Sequence, residues 1–467
     1  MKDKSSDLTM EIRKVKKHHR RRRRRRRRSS VISYTLDDEN SDVRTIYKRK
    51  RMRTSMAMAI DDLPIALVLD ILHRLDLKFA MWCKSVSKEW CSVIIDPFFT
   101  RCFIKNNNKS IVDHHHWPFT LLLQYNNQRI KNRHLLLPLE EESYFKSLPY
   151  IPPMFQQHHS EVNIQASCHD LFLCSTVVSD NTGIYYVINP ITGQWTTLPP
   201  IPDQYTTSVR PQIGFICNCD ILHHHHQQQQ LFRVMLTPKF EGVLTEFKVY
   251  IFSFDTSKWS ESVLLCPSPH GFKLGLFAFP AVPYNGLLFW WNRNDFLVGF
   301  DPYNSGCCRF FQKPLELDPS NGIGRLGVCH NALRISQISN FLYNYFFDLV
   351  LHVWDFKGCD KDKGEEGGKW FLEHWLYFNQ MVSEKSPWFT KYVIKKYPTV
   401  VALAYHPNDR DIMYLMIHFK VVSCNLRRKT LEVVCNLLDP HSFSNGNNVF
   451  KFVLPYWPTP IHSSPFL

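Results

Sequence analysis

Val187-Ile188-Asn189-Pro190-Ile191-Thr192-Gly193-Gln194-Trp195 holds an apolar run, an amide residue, a turn and then an aromatic residue. This is a strand that ends at Asn189, reverses, and restarts at Trp195. The pattern returns in degenerate form as Ser253-Phe254-Asp255-Thr256-Ser257-Lys258-Trp259 and as Gly299-Phe300-Asp301-Pro302-Tyr303-Asn304-Ser305-Gly306. It returns again as Val353-Trp354-Asp355, with Trp370 beyond a charged, glycine-rich insert, and weakly as Ser423-Cys424-Asn425-Leu426-Arg427-Arg428-Lys429-Thr430. An Asn or Asp side chain can bond the backbone of its own turn, which explains its place at a strand end. The aromatic residue opens the next strand and packs on the blade below. Successive marks lie 66, 46, 54 and 70 residues apart. The middle intervals suit one four-stranded β-propeller blade each. The longer two leave room for a long loop or an unmarked blade, and His223–His226 followed by Gln227–Gln230 reads as an insertion in the first of them.

The flanking sequence agrees. Phe119–Gln124, Leu171–Val178, Tyr185–Asn189, Phe232–Leu236, Phe247–Phe254, Leu287–Trp291 and Met413–His418 are short apolar runs bounded by turn residues, as strands are. Aromatic residues make up 14% of the chain, which favours β structure. The 467 residues exceed what one compact core usually holds, so a second domain is expected.

That domain lies upstream, over Ile60–Ile104. Asp61-Asp62-Leu63-Pro64 has acidic residues ahead of a proline suited to a first helical turn. Val68, Ile71, Leu72 and Leu75 then recur at helical spacing and form one apolar face. Lys78 to Trp82 reads as a second short helix. Val86, Trp90, Val93 and Ile94 mark a third, with Ser87 as its cap and Pro97 as its end.

The charge is confined to the first segment. Residues 1–53 hold 21 Lys and Arg against 7 Asp and Glu, which leaves 36 basic and 35 acidic residues for the rest. The net charge of +15 therefore describes a tail, and the folded part is nearly neutral. That tail is polar, basic and low in complexity, so it is read as disordered up to about residue 58. Met52, Met56 and Met58 are all possible translation starts. Two clusters are import-signal candidates: Arg20, Arg21, Arg22, Arg23, Arg24, Arg25, Arg26, Arg27 and Arg28, then Lys48, Arg49, Lys50 and Arg51. The same clusters could bind nucleic acid, or have no role. No secretory signal is visible and no apolar run reaches the length of a membrane span. The 14 cysteines are irregularly spaced and read as reduced thiols of cytosol or nucleus.

From Leu63-Pro64 through Phe99 the chain resembles an F-box. The matching residues are Leu63, Pro64, Leu67, Ile71, Leu72, Leu75, Lys78, Val86, Ser87, Lys88, Trp90, Ile94, Pro97 and Phe99, with Asp76 where the family usually has proline. Residues 120–460 resemble the F-box-associated domain of plant F-box proteins, through Ser167–Ser175, Asn189–Pro199, Leu326–Ile335, Trp370–His374, Ala404–Pro407 and Pro455–Pro460. The double-glycine signature of kelch repeats is missing.

The resemblance implies an α+β multidomain chain: a small N-terminal three-helix F-box followed by a mainly-β, propeller-like domain. The expected segments are a basic tail over 1–58, the F-box over 59–104, a linker over 105–119, the β domain over 120–460 and a short tail over 461–467. It implies a substrate-recognition subunit of an SCF-type (Skp–cullin–F-box) ubiquitin ligase, without catalytic groups of its own. Leu63, Pro64, Leu67, Ile71, Leu72, Leu75, Val86 and Trp90 would bind the Skp-type adaptor, and through it a cullin scaffold. A protein substrate would bind the β domain. No cofactor, metal or membrane partner is expected, nucleic acid could enter only through the tail, and the location would be nucleus, cytoplasm or both. A nucleic-acid-associated or carbohydrate-binding propeller is the alternative.

Other local patterns point to chemistry less well. Gly322-Ile323-Gly324-Arg325-Leu326-Gly327 fits a dinucleotide fingerprint, but Leu333-Arg334-Ile335 after it reads as strand where a helix is required. Cys217-Asn218-Cys219 near His223–His226 lacks a second defined ligand pair for structural zinc, and the His run adjoins a Gln run as a loop expansion does. His114–His116 read the same way, and Cys307-Cys308 as one inward and one outward strand residue.

Overall fold

The computed structural model describes residues 63–75, 77–96, 98–99, 102–103, 119–124, 134–137, 162–177, 183–201, 212–217, 232–237, 244–265, 281–291, 296–304, 308–317, 325–343, 346–358, 368–385, 387, 389, 400–437, 449–453, 458–459 and 461. The basic clusters, Asp76, Pro97, His114–His116, Cys219, His223–His226, Cys307 and Gly322–Gly324 lie outside them.

Three helices form the upstream segment: α1 (Ile65–Arg74), α2 (Leu77–Trp82) and α3 (Lys88–Ile95), with a 3-10 turn over Cys83–Ser85. The Pro64 carbonyl accepts the first bonds of α1, from the N–H groups of Leu67 and Val68. Ser87 caps α3 as its position suggests, its Oγ accepting the Trp90 N–H at 3.2 Å. The expected apolar face of α1 is only partly right. Val68 and Leu72 are buried and Leu75 is half-buried, but Ile71 is exposed. Each residue turns a helix by about 100°, so Ile71 stands one step round from Leu72.

The β domain consists of five four-stranded antiparallel blades and a three-stranded sheet. Blade 1 is β3 (Val162–Cys168), β4 (Leu171–Val177), β5 (Gly183–Asn189) and β6 (Gln194–Thr197). Blade 2 is β7 (Gln212–Cys217), β8 (Phe232–Thr237), β9 (Glu246–Ser253) and β10 (Lys258–Leu265). Blade 3 is β11 (Val282–Tyr284), β12 (Leu287–Trp291), β13 (Phe296–Phe300) and β14 (Cys308–Gln312). Blade 4 is β15 (Leu326–Cys329), β16 (Ala332–Tyr343), β17 (Phe346–Lys357) and β18 (Lys369–Tyr377). Blade 5 is β19 (Val400–Tyr405), β20 (Ile412–Ile417), β21 (Lys420–Asn425) and β22 (Thr430–Asn436). Within each blade the strands pair in chain order. The remaining sheet takes β1 (Phe119–Gln124) and β2 (His134–Leu136) from the start of the domain and β23 (Val449–Val453) from its end. Phe119 pairs with Val453 and Leu123 with Val449.

Apolar clusters fill every seam of a closed ring. Leu171, Leu173, Phe215 and Val234 join blade 1 to blade 2. Met235, Val249, Leu288 and Trp290 join blade 2 to blade 3. Phe289, Phe311, Leu333 and Trp354 follow, then Leu351, Val353, Met413 and Leu415. The three-stranded sheet closes the circle, with Leu121 and Leu123 against Leu403 and Met416 of blade 5, and Phe450 and Phe452 against Phe172 and Ile188 of blade 1. Pairing the two ends of the domain in one sheet removes the open edge that a linear stack of blades would leave.

The five marks in the sequence fall at one place in this plan, the end of the third strand of each blade. Asn189 Oδ1 accepts the N–H groups of Ile191 and Thr192, Asp301 Oδ1 those of Tyr303 and Asn304, and Asn425 Oδ1 that of Arg428. Asp255 sits in the same turn, 3.8 Å from the Arg233 guanidinium. Asp355 departs from the expectation. Strand β17 runs on to Lys357, so Asp355 pairs with Phe371 inside the ladder and turns its carboxylate into the protein. Each of the five four-stranded blades carries one mark, and among the described residues the two long intervals hold no unmarked blade. Two of the tryptophans that follow the marks latch onto the preceding blade: Trp259 Nε1 donates to Pro199 O at 2.9 Å and Trp370 Nε1 to Gln312 O at 2.8 Å.

Candidate functional site

Helix α1 carries two adjacent apolar stripes. Val68 and Leu72, four apart, form the first and are buried. Leu67 and Ile71, also four apart, form the second and are 51% and 41% exposed. A helix needs one such stripe to seat itself in its own unit, so the second is available to something else. Ile65, in the first turn of α1, is exposed as well.

The other two helices repeat the division. On α2, Ala80 and Met81 are buried, while Phe79 and Trp82 are exposed and stack edge to face with ring centroids 5.4 Å apart. On α3, Trp90 and Ile94 are buried and Ile95 is exposed, flanked by exposed Val86 and Phe98. Phe99 and Phe103 complete the inner set, with the His73 ring stacked on Phe99 at 4.7 Å. Eight large apolar side chains are thus exposed between residues 65 and 98, against nine in the described remainder of the chain. Such density marks an interaction surface.

The eight adaptor candidates read from the sequence therefore separate. Pro64, Leu67, Ile71 and Val86 are exposed, Leu63 and Leu75 are half-buried, and Leu72 and Trp90 are buried. The last two hold the helices together and offer no surface to a partner. Phe79, Trp82, Ile95 and Phe98 belong to the exposed set and were not among the candidates. For Phe79 and Trp82 the signal is an aromatic pair three residues apart in a helix too short to bury both faces.

In the β domain, the described apolar exposure concentrates on β18, the outer strand of blade 4, at Phe371, Leu372 and Trp375. The Lys357 ammonium lies 4.8 Å above the Phe371 ring and pairs with Glu373 at 3.0 Å. Gly327 lies in β15 and β16 follows it, so Leu333-Arg334-Ile335 is strand where a dinucleotide site requires a helix.

A helical segment with an uncovered apolar stripe, followed by a closed ring of blades, defines an F-box protein of the propeller type. Residues 60–102 match the F-box domain, and residues 142–453 match the family described as F-box protein At3g26010-like, beta-propeller. The chain belongs to that family. It is 26% identical over 377 residues to F-box protein At3g26010 of Arabidopsis thaliana, covering 79% of this chain and 78% of that one. It is likewise 26% identical over 396 residues to the putative F-box protein At3g23970 of Arabidopsis thaliana, covering 80% and 86%. F-box protein At5g07610 of the same plant is 28% identical over 160 residues, 33% of this chain and 36% of that one.

Proposed function

We propose that this chain is the substrate-recognition subunit of an SCF-type ubiquitin ligase. The observation that carries the reading is the exposed stripe of Leu67 and Ile71, with Ile65, Phe79, Trp82 and Val86 exposed in the same helical unit. Burying an amphipathic helical surface of this kind in an apolar groove is a recurring mode of partner recognition. The partner is a Skp-type adaptor, which carries the chain to a cullin scaffold and its charged ubiquitin-conjugating enzyme. The propeller holds a protein substrate, and its contribution is proximity, which raises the effective concentration of a substrate lysine near the thioester. On this reading no acid, base or nucleophile is required from the chain.

The test is co-purification with a Skp-type adaptor. The exposed pair Leu67→Glu with Ile71→Glu should abolish the complex and leave the chain folded. Replacing Leu63 and Pro64 together with alanine should weaken it. Adaptor binding by the double glutamate variant at the parent's affinity would overturn the reading. Affinity purification with and without proteasome inhibition then identifies substrates as proteins enriched only when degradation is blocked.

A further inference from the structure

We propose that the structure assigns a metal site to the seam between blades 1 and 2, formed by Cys168, His169 and Cys217 and suited to Zn2+. The donor atoms of the three residues all lie within 4.8 Å of one another, and the two sulfurs are 3.1 Å apart. Two thiolates on one tetrahedral zinc ion, each at about 2.3 Å, stand roughly 3.8 Å apart, so a small opening of the pair admits the ion. Thiolate sulfur and imidazole nitrogen are the donor set that selects zinc over magnesium or calcium. Three ligands from the protein leave a fourth position for water or for a donor from a bound partner.

The sequence alone discounted zinc at Cys217 because no second defined pair was near it. The fold supplies the partner from 49 residues upstream. Cys168 ends β3, and Cys217 ends β7, the neighbouring innermost strand of the next blade. The arrangement is held firmly. Asp170, next to His169, is fully buried and accepts bonds from Asn189 Nδ2, the Thr459 N–H and Thr459 Oγ1 at 2.7, 2.7 and 2.6 Å. The His169 carbonyl accepts the Val453 N–H at 3.0 Å. His169 itself has a φ of 51°, a left-handed turn conformation that places an exposed imidazole at the rim of a buried thiol pair. The Cys217 N–H donates to Cys168 Sγ at 3.3 Å, which fixes the two cysteines against each other across the seam.

Blade 4 provides an internal comparison. Cys329 and His330 occupy the same hairpin position there as Cys168 and His169, and His330 also has positive φ. What faces them differs. The next blade offers carbonyl oxygens, with Cys329 Sγ donating to His406 O at 3.1 Å and His330 Nδ1 meeting Asn408 O at 3.2 Å. At the seam between blades 1 and 2 the group presented is a second thiol. A Cys-His hairpin thus serves as a plain hydrogen-bonded corner in one blade and as two-thirds of a ligand set in the other. Binding replaces the two S–H bonds by two S–metal bonds and releases two protons per ion.

The experiment titrates the full chain, stripped of metal and kept reduced with a phosphine, with Co2+ as a spectroscopic stand-in for Zn2+. The expected result is a thiolate-to-cobalt charge-transfer band that saturates at one equivalent, is displaced by Zn2+, and is accompanied by release of two protons. Cys168→Ala and Cys217→Ala should each lose the band, and His169→Asn, which tolerates the same turn, should keep it with weaker affinity. Circular dichroism of each variant must match the parent for its loss to count. Replacing His223–His226 with alanine should leave the titration unchanged. The proposal is overturned if the parent shows no band, if the band survives in a folded Cys168→Ala, Cys217→Ala double variant, or if the histidine-run variant abolishes it.

Discussion

Replacing Asp355 with asparagine is the sharpest test of how the ring is held. Asp355 is fully buried and accepts a bidentate pair from Arg334, Nε to Oδ1 at 2.6 Å and an Nη to Oδ2 at 3.1 Å. Arg410 adds a third bond to Oδ2 at 2.6 Å from the loop that joins β19 to β20. Arg334 is itself 1% exposed and donates to Arg410 O at 2.7 Å, so the group bridges blades 4 and 5. Burial alone would raise the Asp355 pKa, but the two guanidinium groups outweigh it and hold the carboxyl below its usual range. The Asp355→Asn change keeps the size and removes the charge, leaving the Arg334 cation in the interior without its counter-ion. Breaking a buried pair in this way costs about 3–5 kcal/mol. Arg410 is half-exposed, and losing it alone should cost about 1 kcal/mol or less. Urea unfolding of the full chain, followed by tryptophan fluorescence, measures the midpoint at constant slope. The double variant Arg334→Met, Asp355→Leu removes both charges and should be more stable than Asp355→Asn. The reasoning fails if Asp355→Asn costs under about 1 kcal/mol, or if the two losses simply add in the double variant.

Three further outcomes follow from particular residues. Leu72→Ala should destabilise the helical unit by about 2–5 kcal/mol, because Leu72 is fully buried, whereas Leu67→Glu should change unfolding by no more than about 0.5 kcal/mol while abolishing adaptor binding; equal effects of the two on stability would refute the two-stripe reading of α1. Asp170 is raised to about 6 by burial, against the bonds it accepts from Thr459 and Asn189, so the folded state holds a proton there that the unfolded chain gives up near pH 4. Its contribution is complete below the unfolded pKa and is lost as pH rises through about 6, a change of about 3 kcal/mol that Asp170→Asn should remove from the pH profile of the urea midpoint. Residues 1–55 fused to a reporter should carry it into the nucleus, and a chain that starts at Met56 should stay outside; identical distributions would show the Arg20–Arg28 and Lys48–Arg51 clusters to be dispensable.

The blades were legible because each repeats one local solution. Asn189, Asp301 and Asn425 satisfy the backbone of their own turns, a requirement that recurs wherever a third strand ends, so it leaves a periodic trace. The three-stranded sheet left none. Its strands β1 and β23 come from segments more than 300 residues apart, and nothing in either says what it pairs with. Asp355 carried the same mark as the others for a different reason, since local pattern cannot separate a turn acceptor from a buried counter-ion one turn further in. In the helical segment the spacing revealed that α1 is apolar on a broad face. It could not say which stripe its own unit covers, because Leu67, Val68, Ile71 and Leu72 are alike in chemistry. The Cys168 and Cys217 pair was hidden for the same reason as the closing sheet: its partners meet only through the stacking of blades.

The placement of the buried polar groups argues for a division of labour in the ring. Six seams of Leu, Val, Ile and Phe supply non-directional attraction, and such packing alone would tolerate small rotations of one blade against the next. The directional groups sit where they would resist that. Arg334 and Asp355 of blade 4 are tied to Arg410 of blade 5, the Tyr405 hydroxyl of blade 5 returns to Arg325 O ahead of β15, and Asp170 of blade 1 is tied to Thr459 beyond β23. The last of these fastens the C-terminal segment to the first blade, beside the sheet in which β23 closes the ring by pairing with β1. Weakening it should open the ring at that seam first. Hydrogen exchange in Asp170→Ala should therefore rise in β23 and β3 before it rises in β11 to β14. Uniform loss of protection around all the blades would mean that closure depends on the apolar seams alone.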